Sequence, residues 1–260
     1  YQPEVYLAGG VPKALPCRAE DQFKITPESL MEHITPKTKV LMMNFPNNPT
    51  GGVMDKDDLK AIADIIIDHD LLVISDEVYS ELSYDLKHTA TASIDGLFER
   101  TITLNGFSKA YAMTGWRLGY LCAPKEICDA ALKIHQYAMM SAPTASQFAA
   151  IEALKSGEEA KDEMVAEYRI RRNLFVKGLN DIGLSCHLPQ GAFYAFPSIE
   201  STGLSDEEFA ERLLKEQQVA VVPGSAFGES GKGHVRTCYA VDRPRLTEAV
   251  RRIGEFVDSL

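Results

Sequence analysis

The sequence predicts an α/β protein with a second, smaller domain. In residues 1–150, short apolar runs alternate with helical patterns, which is typical of a mainly parallel sheet with helices on both faces. In residues 151–260 the pattern changes to charged helices and short extended segments, which indicates a smaller α+β C-terminal domain. A chain of 260 residues, 45% of them hydrophobic, can bury a core in each domain.

The first half contains four apolar runs that predict strands, at residues 40–43, 71–74, 101–104 and 118–122. Asp55 follows the first strand and its loop, and it is a favourable N-cap for a helix. Apolar residues then recur at helical spacing, which predicts one buried face formed by Leu59, Ile62, Ala63 and Ile66. Strands connected through helices of this kind usually run parallel.

The second half is helical from about residue 143 to residue 183 and then becomes extended over residues 188–197, with a turn at Gly191. Ser205 and Glu208 have the spacing of a capping box, which predicts a helix running to Gln217. Residues 219–222 and 235–240 are predicted strands. A final helix is indicated by the apolar spacing of Leu246, Val250, Ile253 and Val257.

Composition excludes several classes of protein. The net charge is −10, from 27 basic and 37 acidic residues, so a nucleic-acid partner is not expected. No apolar run is long enough to predict a membrane span, and the first residues lack a signal-peptide pattern. The five cysteines and six histidines show no metal-type spacing, so we predict no metal site and a cytoplasmic location with reduced thiols.

Polar residues that can carry chemistry follow three of the predicted strands. The first strand leads to Asn-Asn-Pro-Thr-Gly at 47–51, the second to Asp-Glu-Val-Tyr at 76–79, and the third to Gly-Phe-Ser-Lys at 106–109, with Arg117 eight residues later. In open α/β sheets, ligands bind beyond the carboxyl ends of the strands. Each piece alone is common in loops and on surfaces, but their order and spacing together predict one shared site.

The same segments carry a family resemblance. Five segments occur in family order: NFPNNPTGG, VISDEVYSEL, NGFSKAYAMTGWRLGY, PGSAFG and HVRTCYA. On these segments the chain resembles the class I aminotransferases (the aspartate, aromatic and alanine-like enzymes) of pyridoxal-phosphate fold type I. The resemblance implies a homodimeric enzyme that uses pyridoxal 5'-phosphate and exchanges an amino group between an amino acid and a 2-oxo acid by a ping-pong mechanism.

The resemblance also implies roles for residues that contact the reactive end of the coenzyme. Lys109 is implied as the lysine that forms the Schiff base and moves the substrate proton. Asp76 is implied as the partner of the pyridine nitrogen. Tyr79 and Asn48 are implied as donors to the phenolic oxygen. A carboxylate beside that nitrogen favours its protonated form, which can accept electrons.

Further residues are implied as ligands of the phosphate and of the substrate. Arg117 and Ser108 are implied phosphate ligands, since arginine offers a charged fork and serine a hydroxyl donor. Gly106 stands where the family often has serine, which leaves its backbone N–H for the phosphate. Arg236 is implied to bind the substrate α-carboxylate through two parallel hydrogen bonds, with Asn48 beside it.

The resemblance further implies a longer family chain. If the resemblance is followed from end to end, the present sequence lacks about the first third of the family chain. That third would include a glycine-rich phosphate loop and a tyrosine donated by the dimer partner. We therefore expect a large domain incomplete at its N-terminus, a strand at residues 5–10, and exposed sheet edges with exposed apolar surface. Two alternatives remain open: a carbon–sulfur β-lyase with the same coenzyme, and a fragment without catalytic activity.

Overall fold

The larger of two sheets has four strands in the order β1-β2-β3-β4. It is seen in a computed structural model that describes residues 1–260. Strands β1 to β3 are parallel to one another, and β4 is antiparallel to β3. The four strands span Val40–Asn44, Leu72–Asp76, Thr101–Gly106 and Gly119–Cys122. The predicted mainly parallel α/β sheet is therefore confirmed.

Nine α-helices surround the sheets. They span Gln2–Leu7 (α1), Pro27–His33 (α2), Lys56–Asp68 (α3), Phe107–Ala110 (α4), Lys125–Ala138 (α5), Thr144–Ser156 (α6), Glu158–Asp181 (α7), Asp206–Gln217 (α8) and Arg243–Asp258 (α9). Asp55 caps α3 in a reciprocal box with Asp58, and the predicted apolar face of α3 is buried. Ser205 caps α8 by accepting a hydrogen bond from the Glu208 backbone N–H. No helix combines the length and the apolar character needed to cross a membrane.

The second sheet is small and antiparallel, with the order β5-β7-β6. Its strands span Tyr194–Ala195, Val222–Pro223 and Val235–Cys238. The sequence prediction was wrong about the length of two of these strands. Val219 and Val221 pack against the core without joining the sheet, and β6 is an edge strand whose second residue, Pro223, has no N–H to extend the pairing.

Two hydrophobic clusters form the main cores. One joins the large sheet to α2 and α3, and it includes Leu41, Met43, Val73 and the apolar face of α3. The other joins α7, α8 and α9 to the small sheet and includes Phe209, Val235 and Phe256. Tyr84, from the first half of the sequence, packs in this second cluster. The loop that follows β2 therefore reaches into the second core.

The strand predicted at residues 5–10 does not form. Residues 2–7 are helix α1, and Pro3 occupies its first turn, where its missing N–H has no cost. No residue of α1 is buried. The segment pairs with neither edge of the large sheet, so its backbone groups bond locally instead, as in the Val5 N–H to Tyr1 carbonyl bond.

Large apolar side chains are exposed on β4 and on the helices that follow it in the sequence. Every residue of β4 is exposed, and α5 has no buried residue. Tyr137 is 93% exposed, and Phe148 on α6 is also largely exposed. The sequence led us to expect an open sheet edge with exposed apolar surface, and β4 and its neighbouring helices have both.

Candidate active site

The carboxyl ends of β1, β2 and β3 lie at one edge of the large sheet. Asn44 at the end of β1 pairs with Asp76 at the end of β2, and Asp76 pairs in turn with Leu104 of β3. The Asn44 side-chain amide donates to the Asp76 carbonyl at 2.9 Å. The three loops that carry the predicted site residues therefore begin side by side.

Asp76 and Glu77 are adjacent carboxylates with different surroundings. Glu77 is 3% exposed, and it accepts hydrogen bonds from Ser75 and from the Thr91 backbone, with His88 at 2.8 Å. Asp76 is only half-buried and has no cationic partner. Its Oδ1 accepts from the Val78 backbone N–H at 3.1 Å. The extended chain thus directs one carboxylate into the fold and leaves the other at the sheet edge.

The second oxygen of Asp76 accepts a hydrogen bond from the Tyr1 hydroxyl. Burial is the main reason that the pKa of Tyr1 is raised, and the bond to Asp76 raises it further. Sequence reasoning did not anticipate this contact, because 75 residues separate the two side chains and α1 was expected to be a strand.

The loop after β1 is folded by its own side chains. The Asn44 side chain accepts from the Asn48 backbone N–H at 3.0 Å, and Asn47 accepts from the Thr50 hydroxyl at 2.8 Å. Gly51 has a φ of +71°, and a Cβ there would collide with the Pro189 side chain. Only glycine allows this close approach between the loop and the second half of the chain.

Arg236 on β7 completes the site from the second sheet. Its guanidinium donates to Asn48 Oδ1 at 2.9 Å, across 188 residues of sequence. Its Cζ lies 4.6 Å from the Tyr194 ring centroid and 4.9 Å from that of Phe227. It has no carboxylate partner, so donors remain for an anion. The predicted proximity of Arg236 and Asn48 is therefore present.

Lys109 lies in the one-turn helix α4, which is anchored by the buried residues Phe107 and Ala110. Its Nζ is 5.8 Å from the ring centroids of both Tyr79 and Phe193. The amine makes no hydrogen bond or ion pair with the protein. A half-buried lysine beside two aromatic rings, without a carboxylate, is available to a ligand.

Tyr79 connects the lysine side of the site to the arginine side. Its hydroxyl is 3.2 Å from the Tyr194 hydroxyl. Burial raises the pKa of Tyr79, the Tyr194 hydrogen bond raises it further, and the nearby Arg236 opposes this shift. Sequence reasoning missed Tyr194 and Phe193. The signal that could have found them is an aromatic pair just after the turn at Gly191, in a segment predicted to be extended.

The two residues expected to bind phosphate are at the same edge but separate from this contact chain. The Ser108 hydroxyl has no protein partner. Arg117 is exposed and donates only to the Thr114 carbonyl, at 3.0 Å. Neither side chain forms a hydrogen bond with Lys109, Tyr79 or Arg236.

The backbone N–H of Gly106 is not free, which corrects the sequence expectation. It donates to the Asn105 side chain at 2.7 Å. Gly106 pairs with Gly119, and a Cβ at Gly106 would lie 3.0 Å from the Leu118 carbonyl oxygen. Glycine at this position therefore allows β4 to approach β3 closely.

The side chains at this edge fit pyridoxal phosphate by their chemistry. Asp76 can face a protonated ring nitrogen, Tyr79 can donate to a phenolic oxygen, and the Lys109 amine can bond to an aldehyde. Ser108 and Arg117 offer donors to a phosphate. All five lie at the end of β2 or in the segments that connect β2, β3 and β4.

Comparisons with known proteins agree with this reading. The family Aminotransferase class I and II matches residues 1–253. An aspartate aminotransferase of Pyrococcus abyssi is 50% identical over 260 residues, and aromatic-amino-acid aminotransferase 2 of Thermococcus litoralis is 49% identical over 260 residues. In both cases the match covers 99% of this chain and 67% of the relative, so this chain spans about two thirds of their length.

A comparison with a solved structure also finds an aminotransferase, on the basis of the fold. The crystal structure of an aromatic aminotransferase from Pyrococcus horikoshii superposes with a TM-score of 0.97 at 48% identity. The superposition covers 100% of this chain and 70% of that one. The chain belongs to the class I and II aminotransferases, a family of pyridoxal-phosphate-dependent enzymes.

Proposed function

We propose that the edge of the large sheet is the active site of an amino-acid aminotransferase, with Lys109 as its central residue. One observation carries the proposal: Asp76 ends β2, Lys109 lies beside Tyr79 of the loop after β2, Arg236 donates to Asn48 of the loop after β1, and none of the three charged side chains forms an ion pair within the protein. Charged groups that are half-buried without partners are unfavourable unless a ligand completes them. Pyridoxal phosphate, when bound, supplies an aldehyde that takes the amino group and a ring that accepts electrons from Cα.

Lys109 holds and moves protons at the substrate Cα. Its amine lies beside the Tyr79 and Phe193 rings, which exclude water from one side of it. With the coenzyme bound, the Lys109 amine would be its covalent anchor, and the same amine would serve as the general base at the substrate Cα.

Asp76 and Tyr79 set the electronic state of the ring. The carboxylate at the end of β2 keeps a proton on the pyridine nitrogen by direct electrostatic stabilisation. The Tyr79 hydroxyl, with the Asn48 side-chain amide, would donate to the phenolic oxygen of the coenzyme. Ser108 and Arg117 would hold the phosphate. This role is supported by the exposure of Arg117 and by the absence of an acidic partner for its guanidinium.

Arg236 binds the α-carboxylate of the substrate. Its guanidinium stands against two aromatic rings, and Asn48 accepts one of its hydrogens. A bidentate contact fixes both the position and the rotation of the amino acid, and such positioning accelerates the reaction. Because the α-carboxylate is common to all amino acids, this contact does not select among side chains.

We also propose the division into domains at residues 1–150 and 151–260, a homodimer and a cytoplasmic location. The two hydrophobic clusters support the division. The exposed apolar side chains of β4 and α5 support an assembly, because monomers rarely expose such surface. The five free cysteines support a reducing compartment.

The test is to incubate the protein with pyridoxal phosphate, 2-oxoglutarate, and either aspartate or an aromatic amino acid. A new 2-oxo acid together with glutamate is the expected result. Pyruvate and ammonia would instead indicate an elimination reaction. The absence of any product, with the protein folded, would contradict the proposal.

A further inference from the structure

Tyr194 occupies a position from which one side chain reaches both halves of the site. It pairs with Cys238 across the antiparallel β5–β7 ladder, and Arg236 lies two residues before Cys238 on β7. Residues two apart on a strand share a face, and diagonal neighbours across strands are within reach of long and aromatic side chains. Tyr194 and Arg236 therefore face the site together.

The ring of Tyr194 supports the guanidinium of Arg236. The Arg236 Cζ is 4.6 Å from the Tyr194 ring centroid and 4.9 Å from that of Phe227. Contacts of this length are attractive because the face of an aromatic ring is electron-rich. A guanidinium packed against rings keeps its edge donors in place, so less side-chain freedom is lost when a carboxylate binds.

The hydroxyl of Tyr194 contacts the other half of the site. It lies 3.2 Å from the hydroxyl of Tyr79, whose ring is 5.8 Å from the Lys109 Nζ. Tyr79 is buried, and no other side chain of the protein is within hydrogen-bonding distance of its hydroxyl. The direction in which Tyr79 donates its hydrogen therefore depends on Tyr194.

The backbone that leads to Tyr194 is held by buried contacts. Ala192 is fully buried and has a φ of +57°, which is uncommon for a residue with a side chain. Its N–H donates to the Leu82 carbonyl at 2.9 Å, and its carbonyl accepts from the Tyr84 and Tyr239 hydroxyls. Such a conformation persists only where the surroundings fix it. Tyr194 therefore enters the site from a fixed backbone.

We propose that Tyr194 is a positioning residue with two separable roles in the amino-transfer reaction. Its ring orients Arg236 toward the substrate carboxylate, and its hydroxyl orients the Tyr79 hydroxyl toward the phenolic oxygen of the coenzyme. The roles are separable because they use different atoms of one side chain. This inference rests on the proposed function.

The experiment compares Tyr194→Phe, which removes only the hydroxyl, with Tyr194→Leu, which removes the ring as well. The matched controls are Tyr168→Phe and Tyr168→Leu. Tyr168 also packs against Phe193, and an arginine, Arg171, lies 5.7 Å from its ring centroid, but neither Tyr168 nor Arg171 belongs to the site. Calorimetry measures the affinity of the protein for 2-oxoglutarate. Absorbance measures the pH midpoint at which the spectrum of bound pyridoxal phosphate changes.

Tyr194→Leu is expected to weaken 2-oxoglutarate binding by about fivefold to thirtyfold, because this loss of affinity corresponds to the energy of one partly desolvated cation–π contact. Tyr194→Phe is expected to leave that affinity within about twofold and to shift the absorbance midpoint by about half a pH unit, since one hydrogen bond is lost. The Tyr168 variants should change neither quantity.

Two further outcomes are distinct. If the Tyr194 variants match the Tyr168 variants in both measurements while the unaltered protein binds the coenzyme, the positioning role of Tyr194 is overturned and the proposed function stands. If borohydride treatment of the unaltered protein with pyridoxal phosphate labels no lysine of the site, the proposed function fails and this inference fails with it.

Discussion

Arg172 and Arg236 both pack against tyrosine rings, and they differ in their polar partners. Arg172 on α7 is 2% exposed, and its Cζ lies 4.9 Å from the Tyr84 ring centroid. Its guanidinium donates to Asp85 at 2.6 Å, to the Pro189 carbonyl at 2.9 Å, and twice to the Asn173 side chain. A carboxylate, a carbonyl and an amide thus satisfy this buried cation.

Arg236 has a similar packing without that set of partners. It contacts the rings of Tyr194 and Phe227, but its one polar partner is the neutral side chain of Asn48. The two regions therefore contain the same residue type, but only the guanidinium of Arg172 has its hydrogen-bond donors satisfied by the protein. Arg172 supports the fold, whereas Arg236 has donors left for a ligand.

The same contrast separates other pairs of residues. Lys161 is 7% exposed and lies 2.7 Å from both Glu81 and Glu158, while Lys109 has no carboxylate partner. Glu77 is enclosed in a hydrogen-bond network, while its neighbour Asp76 lies at the sheet edge. Lys161 and Arg172 form ion pairs within the protein, whereas Lys109, Asp76 and Arg236 at the proposed site form none.

The largest effect is expected from Lys109→Ala. Transamination should fall by about four powers of ten or more, because both the coenzyme anchor and the general base are lost. Lys161→Ala is the control, with activity per folded molecule retained and a loss of about 1 kcal/mol in the free energy of unfolding. Borohydride reduction and peptide mapping should place the coenzyme label on Lys109, and a label on Lys125 or Lys133 would contradict the assignment.

Asp76→Asn is expected to lower turnover by about 100-fold to 1000-fold while the protein stays folded, since a neutral amide cannot hold the ring proton. Glu77→Gln should have the opposite profile. It should destabilise the protein by about 1–3 kcal/mol, because its buried network loses an acceptor, without changing turnover per folded molecule. Steady-state kinetics and urea unfolding distinguish the two, and near-normal turnover of Asp76→Asn would refute its role.

Arg236→Lys is expected to lower kcat/KM by about 2–4 kcal/mol for every amino acid alike, because lysine keeps the charge but loses the planar fork. Arg172→Lys should instead reduce the free energy of unfolding by about 2–3 kcal/mol, since the buried Pro189 carbonyl and the partly exposed Asp85 carboxylate lose donors. Kinetics with several amino acids provide the check. A defect of Arg236→Lys confined to acidic substrates would mean that it binds a side chain.

The smallest effect concerns acid stability. The Arg172 guanidinium lowers the pKa of Asp85 below its ordinary value of about 3.9. This pair therefore stabilises the protein above that value, and its contribution is lost as the pH falls through the folded-state pKa. The Asp85 side chain is more than a third exposed, so the change between pH 6 and pH 3 should stay below about 1 kcal/mol.

The matched variant for this prediction is Asp85→Asn. Urea unfolding at pH 6, 4 and 3 should show that the difference in unfolding free energy between the unaltered protein and Asp85→Asn shrinks as the pH falls. A difference that grows on acidification would contradict the stabilising role of the ionised Asp85.

The local signals of the sequence were sufficient for the elements that carry the site. Asp55 caps α3 because a carboxylate can accept from free backbone N–H groups, and this depends on neighbours within four residues. The apolar runs became β1, β2 and β3, because apolar strands with helical connections form parallel sheets. Asp76, Tyr79 and Lys109 follow these strands, so their approach to one edge could be predicted.

The remaining features depend on contacts between distant segments. Residues 5–10 carry apolar side chains, but they formed helix and turn because no strand pairs with them. The Gly106 N–H was expected to be free, but the Asn105 side chain turned back to accept it. Tyr194 joined the site because the β5–β7 register set it diagonal to Arg236. Short strands carry little periodicity, so no local signal could give that register.

The sequence by itself thus determined the order of strands and helices and the residue types at the strand ends, because hydrophobic periodicity and capping act over a few residues. Only the tertiary structure decided which charged side chains form ion pairs within the protein. Arg172 and Arg236 are both arginines that pack on aromatic rings, yet only Arg172 meets a carboxylate, brought to it across 87 residues. Charge pairing is a property of distances between segments, and only the folded chain fixes those distances.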